Sequence, residues 1–257
     1  MAAAARVIAI TNQKGGVGKT TTAINLCAAL ARAGRRALLA DIDPQGNATV
    51  GSGVAMRDLS QSIYELLLGE SGVGDALIKT GGGYDLLPSH PDLAGAQVEM
   101  ADLAQRDFRL ARALEGAAAN YDFILIDCPP TLNVLTVNAL TAAREVLIPV
   151  QCEYYALEGL SSLMETIALV RGGLNPSLRV LGLVRTMFDA RNSLSFEVAE
   201  QLRAHFANAL FAAVVPRNVR LAEAPSHGQS VLQYDSACAG ARAYLALADE
   251  LQQRRAE

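Results

Sequence analysis

Along the chain, short aliphatic runs alternate with longer stretches that carry apolar residues every three or four positions. The first run, residues 6–11, reads as a buried strand. Residues 22–33 keep helical periodicity until Gly34 stops them. Further strands are predicted at residues 36–43, 84–88, 121–127, 145–150, 180–187 and 210–215. Helices are predicted at 62–68, at 92–120 with a break near Asp107, and at 157–170, 193–207 and 237–254. Residues 69–74 read as a loop, and residues 216–228 as a loop holding a helical turn. Strands alternating with helices in this way predict an α/β fold, a mostly parallel twisted sheet with helices on both faces. Neither a linker nor a repeat nor a low-complexity stretch interrupts the pattern, so a single domain over residues 1–257 is expected.

Composition narrows the picture only slightly. A chain of 257 residues can bury a large core without staples. Its formal charge of −4 gives no global case for nucleic-acid binding, so any DNA contact must come from a local patch or an assembled dimer. Cys27, Cys128, Cys152 and Cys238 lie far apart with no metal-ligand spacing, which favours reduced, mostly buried thiols. The few residues before the first strand do not read as a signal peptide, and no apolar run approaches the ~20 residues of a membrane helix. A cytoplasmic protein is expected.

Candidate chemistry begins between the first strand and the first helix. Gln13, Lys14, Gly15, Gly16, Val17, Gly18, Lys19, Thr20 and Thr21 form a glycine-rich turn that runs into a helix, the arrangement of a phosphate-binding loop. The glycines let backbone N–H groups close on phosphate oxygens, and the helix N-terminus adds its positive end. Lys19 would neutralise the β- and γ-phosphates, and the Thr20 hydroxyl would serve Mg²⁺. The motif departs from the usual pattern, with Gln13 where a glycine is expected and Lys14 added at the lip. Lys14 reads either as a solvated lysine or as a cation free to reach a nucleotide held by a neighbouring subunit.

Two predicted strands end in acids, Asp41 and Asp43 on one and Asp127 on the other. Open α/β sheets bind ligands beyond this edge. Asp127 suits a carboxylate in a Mg²⁺ shell, with a helix cap as the plain alternative. Of Asp41 and Asp43, one could position an attacking water while the other supports the metal shell or caps a helix. Arg185, Arg191, Arg217 and Arg220 sit in or near predicted loops, as scattered solvated charges or as a phosphate-contacting patch.

Lys14 to Thr20, residues 41–47 and residues 126–130 together resemble the ParA/MinD group of deviant Walker-A ATPases. The likeness continues through residues 149–160, 216–221 and 223–228, where it is to the chromosomal ParA (Soj) proteins, and it covers nearly the whole chain. The resemblance implies a chromosome-partitioning ATPase associated with the nucleoid. An ATP-bound sandwich dimer would hold double-stranded DNA without sequence preference, and a ParB-type centromere-binding protein would stimulate hydrolysis. It implies that Lys14 of each subunit contacts the nucleotide of the other, that the loop through Thr21 cradles ATP, and that Thr20, Asp43 and Asp127 serve Mg²⁺. It also implies that Lys19 binds phosphate, that Asp43 activates water, that Pro216 and Asn218 flank adenine, and that Arg191, Arg217 and Arg220 contact DNA.

Three rival expectations have sequence tests. A MinD-like membrane-cycling ATPase needs an amphipathic, basic C-terminal helix, whereas residues 251–257 are polar. An iron–sulfur reductase of this fold needs a second cysteine near Cys128. A pure ATP-binding module would not need Asp43 together with Lys19. An N-terminal helix-turn-helix domain is not expected.

Overall fold

The computed structural model describes residues 5–254, so the expectations resting on the extreme N-terminus and on the tail after Arg254 lie outside the described residues. The strands are β1 (Arg6–Ile10), β2 (Ala37–Asp41), β3 (Ile78–Lys79), β4 (Asp85–Leu87), β5 (Phe123–Asp127), β6 (Glu145–Gln151), β7 (Arg179–Phe188) and β8 (Leu210–Pro216). They form one eight-stranded sheet in the order β3-β4-β2-β5-β1-β6-β7-β8. Every pairing is parallel except that of β3 with β4, so the expected mostly parallel sheet is observed with one antiparallel edge. In register, Asp127 pairs with Ile10 on one side and with Asp41 on the other. Both acids therefore finish central strands in the same row, beside the point where the chain leaves β1 for the glycine loop.

The helices are α1 (Lys19–Arg32), α2 (Asn47–Gly51), α3 (Ile63–Leu68), α4 (Val73–Ala76), α5 (Ala96–Glu99), α6 (Arg109–Glu115), α7 (Val134–Ala142), α8 (Ala156–Gly173), α9 (Ser193–Phe206), α10 (Val219–Glu223), α11 (Val231–Tyr234) and α12 (Ala239–Gln253). Alternate strand residues face opposite layers. Leu38, Ile124 and Ile126 pack with Leu140, Leu160 and Ile167 on one face. Leu39 and Leu125 pack with Leu26, Leu30, Tyr244 and Leu247 on the other. Strands buried on both faces read as continuous apolar runs, which is why β5 and β6 were legible. Among the described residues no helix is long and apolar enough to cross a membrane.

Three expectations need correction. Residues 92–120 are not one broken helix: α5 and α6 are separated by turns and one short 3-10 segment, Arg106–Phe108, with Gln105 at φ 54°. A non-glycine residue in that region ends helical hydrogen bonding on both sides. Helix α7 was missed because its residues are apolar nearly all round and bury Leu135, Thr136, Asn138, Ala139, Leu140 and Thr141, so no one-sided stripe marks it. Its start is set by Asn133, whose Oδ1 accepts from the backbone N–H groups of Leu135 and Thr136. Arg185, read as a solvated or phosphate-contacting charge in or near a loop, belongs instead to the interior of the sheet: it lies within β7, is 7% exposed, and donates from Nη2 to the carbonyls of Phe211 and Ala212.

The opposite edge of the sheet is tied by a buried carboxylate. Glu145, 1% exposed, takes Arg6 Nε at 2.9 Å and Arg179 Nη2 at 2.8 Å, while Arg6 Nη1 donates to the carbonyls of Leu251 and Arg254 near the end of α12. Glu145→Ala would remove the buried anion that the Arg6 and Arg179 guanidiniums share. The expected loss is about 2–3 kcal/mol, reduced from the fully buried case because solvent reaches both arginines. Chemical denaturation checks this, and a loss under about 0.5 kcal/mol, the range of a neutral surface change, would contradict it.

Candidate active site

The phosphate loop is shaped by two left-handed glycines, Gly16 at φ +75° and Gly18 at φ +86°. Side chains rarely adopt that conformation. Gly18 caps α1, so the helix starts at Lys19 rather than at Thr22, placing Lys19, Thr20 and Thr21 in its first turn. A side chain at Gly15 or Gly16 would meet nothing within 4 Å, so the space over their backbone is open to an incoming anion. Asn12, missed in the sequence, braces the entry: its Oδ1 accepts the Lys14 N–H at 2.9 Å and its Nδ2 donates to the Pro149 carbonyl at 2.8 Å. Gln13 Nε2 donates to Thr166 Oγ1 at 3.2 Å, anchoring the loop to α8 at the off-pattern position. The Val17 side chain is buried, so its part in the loop is played by its backbone, whose carbonyl accepts from Thr186 Oγ1 at 2.8 Å.

Lys19 is 7% exposed and curls back, Nζ donating to the Lys14 carbonyl at 3.1 Å. Burial lowers its pKa, with Asp127 the largest influence in the other direction. Lys14 points outward to the rim and pairs with Glu153 just after β6, Nζ to Oε2 2.5 Å. Both of those side chains are solvent-accessible.

The three acids occupy distinct environments. Asp41 is fully buried and satisfied: Oδ2 accepts from both N–H and Oγ1 of Thr49, and Oδ1 accepts the Asp43 N–H. Burial nevertheless pushes its carboxyl up to about 7. Asp41 thus organises the turn between β2 and α2, which resolves the choice left open above in favour of a structural part for it. Asp43, 7% exposed, accepts the Gln45 N–H on Oδ1 and lines the cleft. Asp127 is fully buried, and neither carboxylate oxygen meets a hydrogen-bond donor. Burial and then Asp41 push it well above the usual carboxylate range, a shift tempered by the Thr20 hydroxyl although that contact falls short of hydrogen-bond geometry.

An orphaned buried carboxylate is costly unless a cation or donor comes to it. Asp127 with the Thr20 hydroxyl at the mouth of a phosphate loop fits a hard divalent ion completed by phosphate oxygens and water. Among the described residues no group of three or more His, Cys, Asp or Glu side chains forms a cage of its own. Mg²⁺ bound through one or two carboxylates and a nucleotide needs none.

The loop and Asp43 share a cleft of about 870 Å³ with Pro216, Arg217 and Asn218. The end of β8, some 200 residues on in sequence, thereby lines the same cleft as the phosphate loop. Asn218 Oδ1 caps α10 by accepting the Arg220 N–H at 3.0 Å. Sequence reading also missed Thr186 and Met187, which line the same cleft from the end of β7.

The three candidate DNA-contacting arginines follow the ends of β7 and β8. Arg217 lines the cleft and its N–H donates to the Phe188 carbonyl at 3.1 Å. Arg191 is bidentate to Asp189, whose carboxyl it holds down at about 2. Arg220 pairs with Glu223 at 2.8 Å and Asp235 at 3.4 Å.

A family model described as an AAA domain matches residues 5–180. The chromosome partitioning protein ParA of Caulobacter vibrioides is 56% identical over 96% of this chain and 93% of its own. The chromosome-partitioning ATPase Soj of Thermus thermophilus is 53% identical over 97% of this chain and 96% of its own. Among solved structures, the cobyrinic acid a,c-diamide synthase of Mycobacterium smegmatis, with a bound ATP analogue and magnesium, superposes with a TM-score of 0.86 at 39% identity, covering 97% of this chain and 95% of that one. With the phosphate loop, the acid row and full-length likeness of this order, the chain belongs to the ParA/Soj family of chromosome-partitioning ATPases.

Proposed function

We propose that the chain binds ATP with Mg²⁺, that the ATP-bound form pairs with a second copy, and that the pair holds double-stranded DNA without sequence preference. A ParB-type centromere-binding protein then stimulates hydrolysis and releases the DNA, giving nucleoid association that follows the nucleotide cycle. One observation carries the reading: an open left-handed glycine loop lines one cleft with Lys19, Thr20 and Asp43, and the orphaned Asp127 carboxylate lies buried within electrostatic reach of Lys19 and Thr20. That combination favours an anion and a cation arriving together.

Backbone N–H groups of residues 15–20 cradle the phosphates, and Lys19 offsets their charge from inside the loop. Thr20 and Asp127, with Asp43 nearby, would hold Mg²⁺, which would supply charge withdrawal from the phosphate oxygens when bound. Asp43 accepts a proton from the water that attacks the γ-phosphorus, the bond to the β-phosphate oxygen breaks, and ADP and phosphate leave. Pro216 and Asn218, across the cleft, flank the base. That assignment is supported by their place in the lining of the cleft that also holds Lys19.

Lys14 exchanges Glu153 for the nucleotide of the second subunit. An exposed ion pair is worth ~0–1 kcal/mol, so a triphosphate in a drier interface outcompetes it. The same arithmetic covers Arg191 and Arg220, whose exposed pairs with Asp189 and Glu223 are weak enough for DNA phosphates to displace. A monomer of formal charge −4 binds DNA poorly, whereas a dimer aligns two arginine patches and doubles the phosphate contacts, which makes retention steep in salt.

Arg220→Glu is expected to abolish DNA retention while ATP-dependent dimerisation survives, read by fluorescence anisotropy and sedimentation. Retention that persists at moderate salt would show the patch to be misplaced. Lys14→Ala should keep ATP affinity within about threefold, since the free subunit does not use it, but should impair dimerisation and ParB-stimulated turnover. An unaltered dimer with normal turnover would count against the cross-subunit contact.

A further inference from the structure

The end of β7 touches the phosphate loop and the arginine-bearing loops within four residues. We propose that Thr186 is a positioning residue that couples nucleotide in the phosphate loop to the segments carrying Arg191 and Arg217. The inference rests on the nucleotide reading above.

Thr186 is 2% exposed, and its hydroxyl donates to the Val17 carbonyl at 2.8 Å. Its Cβ and Cγ2 stand 3.8 Å from where a side chain on Gly18 would begin, so it packs on the glycine that caps α1. Two residues on, Phe188 pairs with Pro216, and its carbonyl accepts the Arg217 N–H at 3.1 Å. Next, Asp189 accepts the N–H, Nε and Nη2 of Arg191 at 3.0, 3.0 and 2.9 Å. Between the two sets of bonds sits Met187 at φ 47°, a left-handed non-glycine residue lining the cleft.

A conformation of that kind persists only when its surroundings over-determine it. Here the determinants are the Thr186 bond before it and the Phe188 and Asp189 bonds after it. Phosphate entering the loop draws the N–H groups of residues 15–20 towards its oxygens and reorients the peptide that carries the Val17 carbonyl. Because Thr186 holds that carbonyl, the movement reaches Met187, which has a second, extended basin to occupy. A change of basin at Met187 swings Phe188 and Asp189, and with them the hydrogen bonds that orient Arg217 and Arg191. Met187 is thus the two-state element that physical coupling between separated sites requires.

The alternative is a Thr186 that merely fills space and satisfies one carbonyl. Thr186→Val keeps the β-branched shape and removes the donor, and Thr186→Ser restores the donor. The full chain, with and without saturating ATP and Mg²⁺, is followed by amide hydrogen exchange at residues 187–192 and 217–220. The wild type and Thr186→Ser should show a nucleotide-dependent change in exchange there, and Thr186→Val should lose most of it while remaining saturated with ATP. In parallel, the ratio of DNA affinities with ATP and with ADP should fall by about fivefold or more in Thr186→Val and recover in Thr186→Ser. A change in exchange that survives in Thr186→Val, or is absent from an ATP-saturated wild type, overturns the coupling. A chain that fails to bind ATP overturns the nucleotide reading and the coupling together. Exchange coupling without any DNA retention supports the coupling and indicts the DNA reading alone.

Discussion

Lys19→Ala is expected to lower ATP affinity by on the order of 10²-fold or more, the equivalent of losing about 3 kcal/mol of charge-assisted contact. Lys19 is the buried cation of the loop, already oriented by its bond to the Lys14 carbonyl. Its removal leaves the acids of the site facing an incoming polyanion with no fixed positive side chain beside them, so the local field becomes less favourable to phosphate. The loop glycines and the helix N-terminus remain, and they limit the loss. Isothermal titration with Mg²⁺ present measures it, and a change under about threefold would remove Lys19 from the binding account. The variant should still fold, because among the described residues the Lys19 ammonium makes one hydrogen bond, at 3.1 Å, and no ion pair.

Asp43→Asn is expected to separate binding from chemistry. ATP affinity should stay within about threefold while stimulated turnover falls by roughly 10²–10⁴-fold, the usual contribution of a positioned general base. Asp43 is held rigidly, its N–H on Asp41 and its Oδ1 accepting from Gln45, so the substitution preserves the turn while removing the proton acceptor and one negative charge near the Mg²⁺ position. The ATP state should then accumulate, and DNA retention should outlast that of the wild type. A single-turnover measurement reads the chemical step, and a rate within tenfold of wild type would transfer the base to another group.

Much of this site could be read from the chain, because its parts are local. The phosphate loop, Asp43 and Asp127 each follow a strand with an unmistakable apolar run, and the parallel register then brings Asp41 and Asp127 level. The same logic failed wherever a contact spans the fold. Glu153 is 139 residues from the Lys14 it holds, and Thr186 is 169 residues from Val17. Nothing in spacing or periodicity links either pair. Pro216 and Asn218 were assigned through family resemblance alone, and it is the sheet order that sets the end of β8 across the cleft. Helix α7 illustrates a different limit, since burial on all sides erases the stripe by which a helix is recognised. Arg185 shows that a charge near a predicted boundary can belong to the interior of the sheet, its guanidinium spent on strand carbonyls.

The account turns on ATP acting as a switch for assembly and, through assembly, for DNA affinity. DNA binding of the intact chain, measured at fixed protein concentration with ATP, with ADP and without nucleotide, tests that most directly when molecular mass is recorded on the same samples. The predicted result is a dimer and salt-sensitive DNA retention with ATP alone, relieved by a ParB-type partner. Equal retention in all three states, or retention by a monomer, would contradict it.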